Sequence, residues 1–131
     1  MEIKIDTKEK FHAITVQGPG LSATMTDKLV DQLLPYLQND ASLPDKLVKN
    51  VILILKDIEN IENAAAEKLV YIQQKFYENN ASFVICELQK AVEEFLDKNE
   101  LLEMMNVTPT ESESWDMVHR EEIEREVMYG E

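Results

Sequence analysis

Apolar and polar positions alternate at the start of the chain, where Ile3 and Ile5 sit between Glu2, Lys4 and Asp6. A second β-rich run, Phe11 to Val16, follows the polar stretch Thr7-Lys8-Glu9-Lys10, and the two together predict a hairpin. Gly18-Pro19-Gly20 ends it, because two glycines and a proline suit a turn and suit a continuing strand poorly. The period then becomes helical. Leu29, Val30, Leu33, Leu34 and Leu37 make an apolar stripe behind a cap at Thr24 or Thr26, with Asp27 in the first turn. This helix is expected to end by Asn39 or Asp40. Pro35 lacks a backbone donor and predicts a kink or a change of helix type within it. Asp40 to Lys49, with Ser42 and Pro44, reads as a polar connection.

Val51-Ile52-Leu53-Ile54-Leu55 has no polar face to leave outside, which is what a central strand covered on both sides requires. A helix over 64 to 78 follows, with Ala65, Leu69, Ile72 and Phe76 at helical spacing, and Ser82 to Glu87 supplies another short apolar strand. Strand, helix, strand in this order predicts a parallel crossover. A further helix begins near residue 88, with Ala91, Val92, Phe95 and Leu96 on one face, ahead of Leu101, Leu102, Met104 and Met105. Asn106 to Pro109 fits a short edge strand. A last helix starting at Ser112 or Ser114 is expected to carry Trp115 and Val118 toward the body, with Ile123 and Val127 further along the same side.

The fold class is therefore α/β: a mixed β-sheet with parallel central strands and about four helices packed against it. The 131 residues, 44% of them apolar, fit one domain with its own core. Counting from Glu111, eight acids stand against two bases, so the predicted organisation is a domain over 1–119 and a solvated acidic extension of the last helix over 120–131.

Net charge is −13, from 26 acidic and 13 basic side chains, which argues against nucleic acid and anionic membrane surfaces and favours a partner with a basic face. No apolar run approaches the roughly 20 residues that span a bilayer, and the N-terminus lacks the continuous apolar stretch of a signal peptide. A cytoplasmic protein without direct membrane insertion is expected. A single cysteine, Cys86, excludes an internal disulfide, and its neighbours Phe83, Val84 and Ile85 make it a small core hydrophobe.

Chemistry-bearing patterns are scarce. The glycines at 18, 20 and 130 admit no GxGxxG or P-loop spacing, so no nucleotide cofactor is expected. His12, His119 and Cys86 have no metal-ligand spacing, and no metal is expected. Adjacent acids such as Glu93 and Glu94 fit a solvated helix face. Glu121 and Arg125 are spaced for ordinary helix support. Met104, Met105, Met117 and Met128 suit core filling more than a docking surface. An enzyme would have to assemble its site from scattered Asp, Glu, Ser and Tyr residues.

The segment from Leu53 to Leu69 (Leu-Ile-Leu-Lys-Asp-Ile-Glu-Asn-Ile-Glu-Asn-Ala-Ala-Ala-Glu-Lys-Leu) resembles the central signature of STAS domains. That family includes bacterial anti-sigma-factor antagonists and the cytoplasmic tails of sulfate transporters. Gly18 to Leu29 looks like the family's loop entering the first helix, and Leu101 to Pro109 looks like its segment before the last strand. The family's Asp-Ser-Ser-Gly is replaced by Glu62-Asn63-Ala64-Ala65, so Ala64 stands where antagonists of the switching type are phosphorylated.

The resemblance implies a non-catalytic interaction module of bacterial signalling or scaffolding that lacks the phospho-switch serine, with an anti-sigma factor or kinase-like protein as partner. An accessory subunit of a transport or membrane-associated complex is the alternative. The predicted partner-binding residues are Ser22, Thr24 and Thr26 in the first loop and Glu62, Asn63, Ala64 and Ala65 at the second helix start, where free N–H groups lie beside an exposed loop. Small side chains at 64 to 66 suit close approach of a partner, and equally suit packing on the sheet.

Overall fold

The computed structural model describes residues 2–38 and 48–129. Strands β1 (Glu2–Thr7) and β2 (Phe11–Gln17) form the antiparallel hairpin, in register Ile3 opposite Val16 and Ile5 opposite Ile14. The chain continues through β3 (Gly20–Leu21), α1 (Ala23–Leu33), β4 (Asn50–Ile54), β5 (Asn60–Ile61), α2 (Asn63–Glu78), β6 (Phe83–Cys86), α3 (Lys90–Lys98), β7 (Val107–Thr108) and α4 (Glu111–Tyr129). The main sheet has the order β1-β2-β4-β6-β7, parallel except for the hairpin, and β3 pairs with β5 in a separate two-stranded parallel ribbon. The α/β architecture read from the pattern is the one observed. Pro35 does change the helix type, since Leu34–Leu37 is a 3-10 turn beginning one residue before it. The helical run is over by Gln38, which is extended, as the expected end by Asn39 or Asp40 requires, and most of the expected polar connection over 40–49 lies outside the described residues.

Alternation along the strands separates two layers. Ile14, Val16, Val51, Leu53, Phe83 and Ile85 face α1, α2 and α3, meeting Leu29, Leu33, Leu69, Ile72, Phe76, Val92 and Leu96. Phe11, Ala13, Ile52, Ile54, Val84 and Cys86 face the other way, toward α4. Val51 to Leu55 is buried throughout, as a run with apolar residues on both faces must be.

Two expectations about helix ends are corrected. The cap of α1 is Ser22, whose Oγ accepts the Met25 N–H at 3.2 Å, and neither Thr24 nor Thr26 takes that place. The last helix begins at Glu111, with Thr110 Oγ1 accepting the Glu113 N–H at 3.2 Å. Both α2 and α3 end in a Schellman arrangement: Ala81 N–H reaches Phe76 O and Leu101 N–H reaches Leu96 O, with Asn80 and Glu100 left-handed at φ 59° and 61°.

The largest departure is in α4. Val118 packs on the sheet as expected, but Trp115 does not: 43% exposed, it stacks on His119 with ring centroids 5.3 Å apart. After His119, Arg120, Ile123, Glu124, Glu126 and Val127 are exposed, while three half-buried polar residues tie the helix to the sheet. Glu121 Oε1 accepts the Tyr77 hydroxyl at 2.7 Å and the Ser82 hydroxyl at 2.6 Å, and Glu122 Oε2 accepts Asn50 Nδ2–H at 3.0 Å. Arg125 donates to Ser82 Oγ at 3.1 Å and to Asn50 Oδ1 at 3.3 Å. Glu121 and Arg125 thus spend their polar groups on β4, β6 and α2 rather than on local helix support. The physical reason is that Asn50 and Ser82, both buried at the N-terminal ends of central strands, present polar side chains that need partners. The methionines also divide: Met105 is buried, Met117 flanks the smaller core, and Met104 is 49% exposed.

Candidate docking surface

The ribbon β3–β5 brings the two predicted loops together. A Cβ on Gly18 would lie 2.8 Å from both Asp57 O and Ile58 Cδ1, so only glycine lets the connection after β2 lie this close to the one after β4. Pro19 O then accepts the Glu59 N–H at 2.7 Å, and Leu21 O accepts the Glu62 N–H at 3.0 Å. Leu21 and Ile61, adjacent in the ribbon, are buried beneath it.

Glu62 joins the two helix starts. Its backbone caps α2, while its side chain turns to α1, where Oε1 accepts the Ala23 N–H at 2.9 Å. Ser22 and Glu62 therefore satisfy two donors of the first turn of α1, and a carboxylate there complements the positive end of the helix dipole. Asp27 of α1 and Lys68 of α2 add an ion pair at 3.0 Å further along.

Of the seven residues predicted from sequence, five line this surface. Thr24, Glu62, Asn63 and Ala64 are exposed and Ser22 is half-buried. Asn63 Nδ2–H donates to Glu67 Oε1 at 2.6 Å, which holds its amide along the helix. Thr26 and Ala65 are not part of it. Thr26 is buried, its hydroxyl donating to Ala23 O at 2.8 Å, and Ala65 lies in the core between α2 and the sheet. Periodicity places Ala65 on the buried face of α2; Thr26 stands three and seven residues before Leu29 and Leu33, on the buried face of α1. The bond from Glu62 to Ala23 spans 39 residues and had no local signal in the sequence.

Groups elsewhere are occupied structurally. The Cys86 thiol is buried and its pKa is pushed up to about 12 by burial, which leaves it protonated at neutral pH. His12 is buried and stacks on Tyr36 at 4.1 Å between ring centroids. Its Nε2–H donates to Val48 O at 2.8 Å and its Nδ1 shares a hydrogen bond with the Thr7 hydroxyl at 2.9 Å. Among the described residues, no group of three or more His, Cys, Asp or Glu is placed to hold a metal ion, and no helix is long and apolar enough to cross a membrane.

A parallel-centred sheet with helix starts gathered beside one ribbon defines the architecture of a STAS domain. The chain belongs to the STAS domain family, which it matches over residues 2–114. Solved structures with the same fold include an anti-sigma-factor antagonist (STAS) domain protein from Planctomyces limnophilus, at 17% identity and TM-score 0.70, covering 89% of this chain and 97% of that one. The anti-sigma factor antagonist SpoIIAA in its unphosphorylated form aligns at 12% identity and TM-score 0.68, covering 90% and 96%. A chain of the stressosome, described as a signal integration and transduction hub, aligns at 15% identity and TM-score 0.64, covering 89% and 96%. No curated protein matches the chain significantly.

Proposed function

We propose that this chain is a non-catalytic protein-interaction module of the anti-sigma-factor-antagonist kind, acting in bacterial cytoplasmic signalling or scaffolding, and docking through the surface built by Ser22, Thr24, Glu62, Asn63 and Ala64. The observation that carries the reading is the bond from the Ala23 N–H to Glu62 Oε1, because it makes two loops distant in sequence into one fixed surface around an exposed Ala64. Such preorganisation lowers the ordering cost of binding. Antagonists among the structural neighbours support a protein partner, with an anti-sigma factor or kinase-like protein as the class proposed here. The excess of acids over bases favours a basic face on that partner.

Ala64 has no hydroxyl, so partner binding in this reading is not switched by phosphorylation at the helix start. Ala64→Glu tests both points. The helix N-terminus tolerates the added carboxylate and the melting temperature stays within a few degrees, whereas recovery of the bound partner from native lysate falls. Unchanged recovery of every partner would place the docking surface elsewhere.

A further inference from the structure

Helix α4 is inverted relative to an ordinary surface helix. Its sheet-facing side presents Glu121, Glu122 and Arg125 to Tyr77, Ser82 and Asn50, with Val118 as the one fully buried apolar anchor among the described residues. Its solvent side carries a row four residues apart: Trp115 (43% exposed), His119, Ile123 (47%) and Val127 (76%). Spacing of four puts these side chains along one ridge. Ile123 and Val127 belong to neither core cluster, so folding of the chain leaves them wet. Residues 115–129 also lie beyond the match to the family, and α4 stands across the sheet from α1 and α2.

The flanks of the ridge carry more acids than bases. Asp116, Arg120 and Glu124 run along one side and Glu126 along the other, giving three carboxylates against one guanidinium, which already pairs with Glu124 at 3.9 Å, while Glu122 is turned to Asn50. An apolar ridge rimmed by carboxylates complements an apolar stripe rimmed by Lys and Arg. A second copy of this chain fits poorly, because it would bring like-charged rims together between molecules of net charge −13.

We infer that the Trp115–Ile123–Val127 ridge of α4 is a second docking surface, and that its occupant is a basic amphipathic helix of another protein. Ridges at i,i+4 spacing pack into the grooves of a facing helix. The stretch 115–127 is about 18 Å long, which matches three to four turns of a partner. So small a contact gives weak, reversible binding, on the order of micromolar. The inference is independent of the loop surface around Ala64.

Trp115 is the single tryptophan and reports directly on this ridge. The full chain is titrated with a synthetic Leu/Lys peptide patterned as an amphipathic helix, with a scrambled peptide of identical composition, and with a Leu/Glu version. The Leu/Lys helix is expected to shift Trp115 emission to the blue with saturation, and the other two to leave it unchanged. Replacing Ile123→Gln and Val127→Gln together removes apolar area without adding charge or breaking the helix, and is expected to weaken the Leu/Lys peptide about tenfold, roughly 1.4 kcal/mol. Val127→Gln alone, at the most exposed position, serves if the double variant melts early. Equal binding of the scrambled peptide, unchanged affinity of the variants, or a dimer in sedimentation that the variants abolish would each overturn the inference.

Discussion

Asn50 and Ser82 stand side by side at the N-terminal ends of β4 and β6, and the Asn50 side chain accepts the Ser82 backbone N–H at 2.7 Å while its own Nδ2–H groups donate to Lys10 O and Glu122. Both residues are buried, and Arg125 reaches both from α4. The later turns of α4 are therefore structural. Truncation after His119 removes every one of these α4 partners and is expected to cost about 3 kcal/mol, since hydrogen bonds to charged groups contribute about 1.5–3 kcal/mol each and the buried Asn50 and Ser82 lose theirs together. Trp115→Ala, by contrast, removes a half-exposed ring stacked only on His119 and is expected to cost about 1 kcal/mol or less. Chemical denaturation of both variants checks the order, and a larger loss for Trp115→Ala would refute it.

His12 links stability to pH. Burial lowers its pKa from the usual 6.5, and the backbone bond to Val48 O offsets only part of that. The unfolded chain then binds a proton at His12 that the folded chain does not, so the contribution of neutral His12 is full above pH 6.5 and is lost as pH falls from there toward the lower folded pKa. The rest of the chain carries a large negative charge whose repulsion eases over the same range. The informative quantity is thus the difference between wild type and His12→Gln: its dependence on pH below 6.5 should show the wild type losing ground. A His12 ring titration by NMR with a midpoint at or above 6.5 would contradict the burial argument.

Glu100 occupies the left-handed position that ends α3, at φ 61°, where a side chain is strained and glycine is not. Glu100→Gly is expected to stabilise the fold by about 0.5–1 kcal/mol, despite the added flexibility of the unfolded chain. A drop in the denaturation midpoint would show that the side chain makes a contact worth more than the strain.

Cys86 is fully buried against the α4 side of the sheet, with its thiol held protonated. Reaction with an aromatic disulfide reagent at pH 8 is expected to be slow in the native chain and to accelerate with denaturant in step with unfolding. Rapid native labelling would mean that α4 opens easily over this face.

The sheet and its parallel core were legible because Val51 to Leu55 admits only a strand buried on both faces and because the helical stripes of Leu29–Leu33 and Leu69–Phe76 each face one way. Pro35 announced its own change of helix type. What the pattern could not carry was pairing at long range. Apolar spacing predicts Trp115, Ile123 and Val127 inward along α4, yet Asn50 and Ser82 draw in the charged residues of that helix and leave those three toward solvent. The resemblance at Glu62 to Ala65 points to the loop surface, whereas its fastening, the bond from Ala23 to Glu62, depends on a contact between residues 39 apart.

That fastening separates position from charge at the proposed docking surface. Glu62→Gln keeps an oxygen to accept the Ala23 N–H and removes the carboxylate; Glu62→Ala removes both. The first should leave stability nearly unchanged, and the second should cost about 0.5–1 kcal/mol, the low end for loss of a helix cap because the site is exposed. Hydrogen exchange at Ala23 should quicken in Glu62→Ala alone, since only there does the first turn of α1 lose this acceptor. If the surface works by preorganisation, partner recovery falls in Glu62→Ala and is retained in Glu62→Gln. If both variants lose the partner equally while Ala23 stays protected in Glu62→Gln, the carboxylate itself meets a basic group on the partner, and Glu62 acts by charge rather than by holding the loops together.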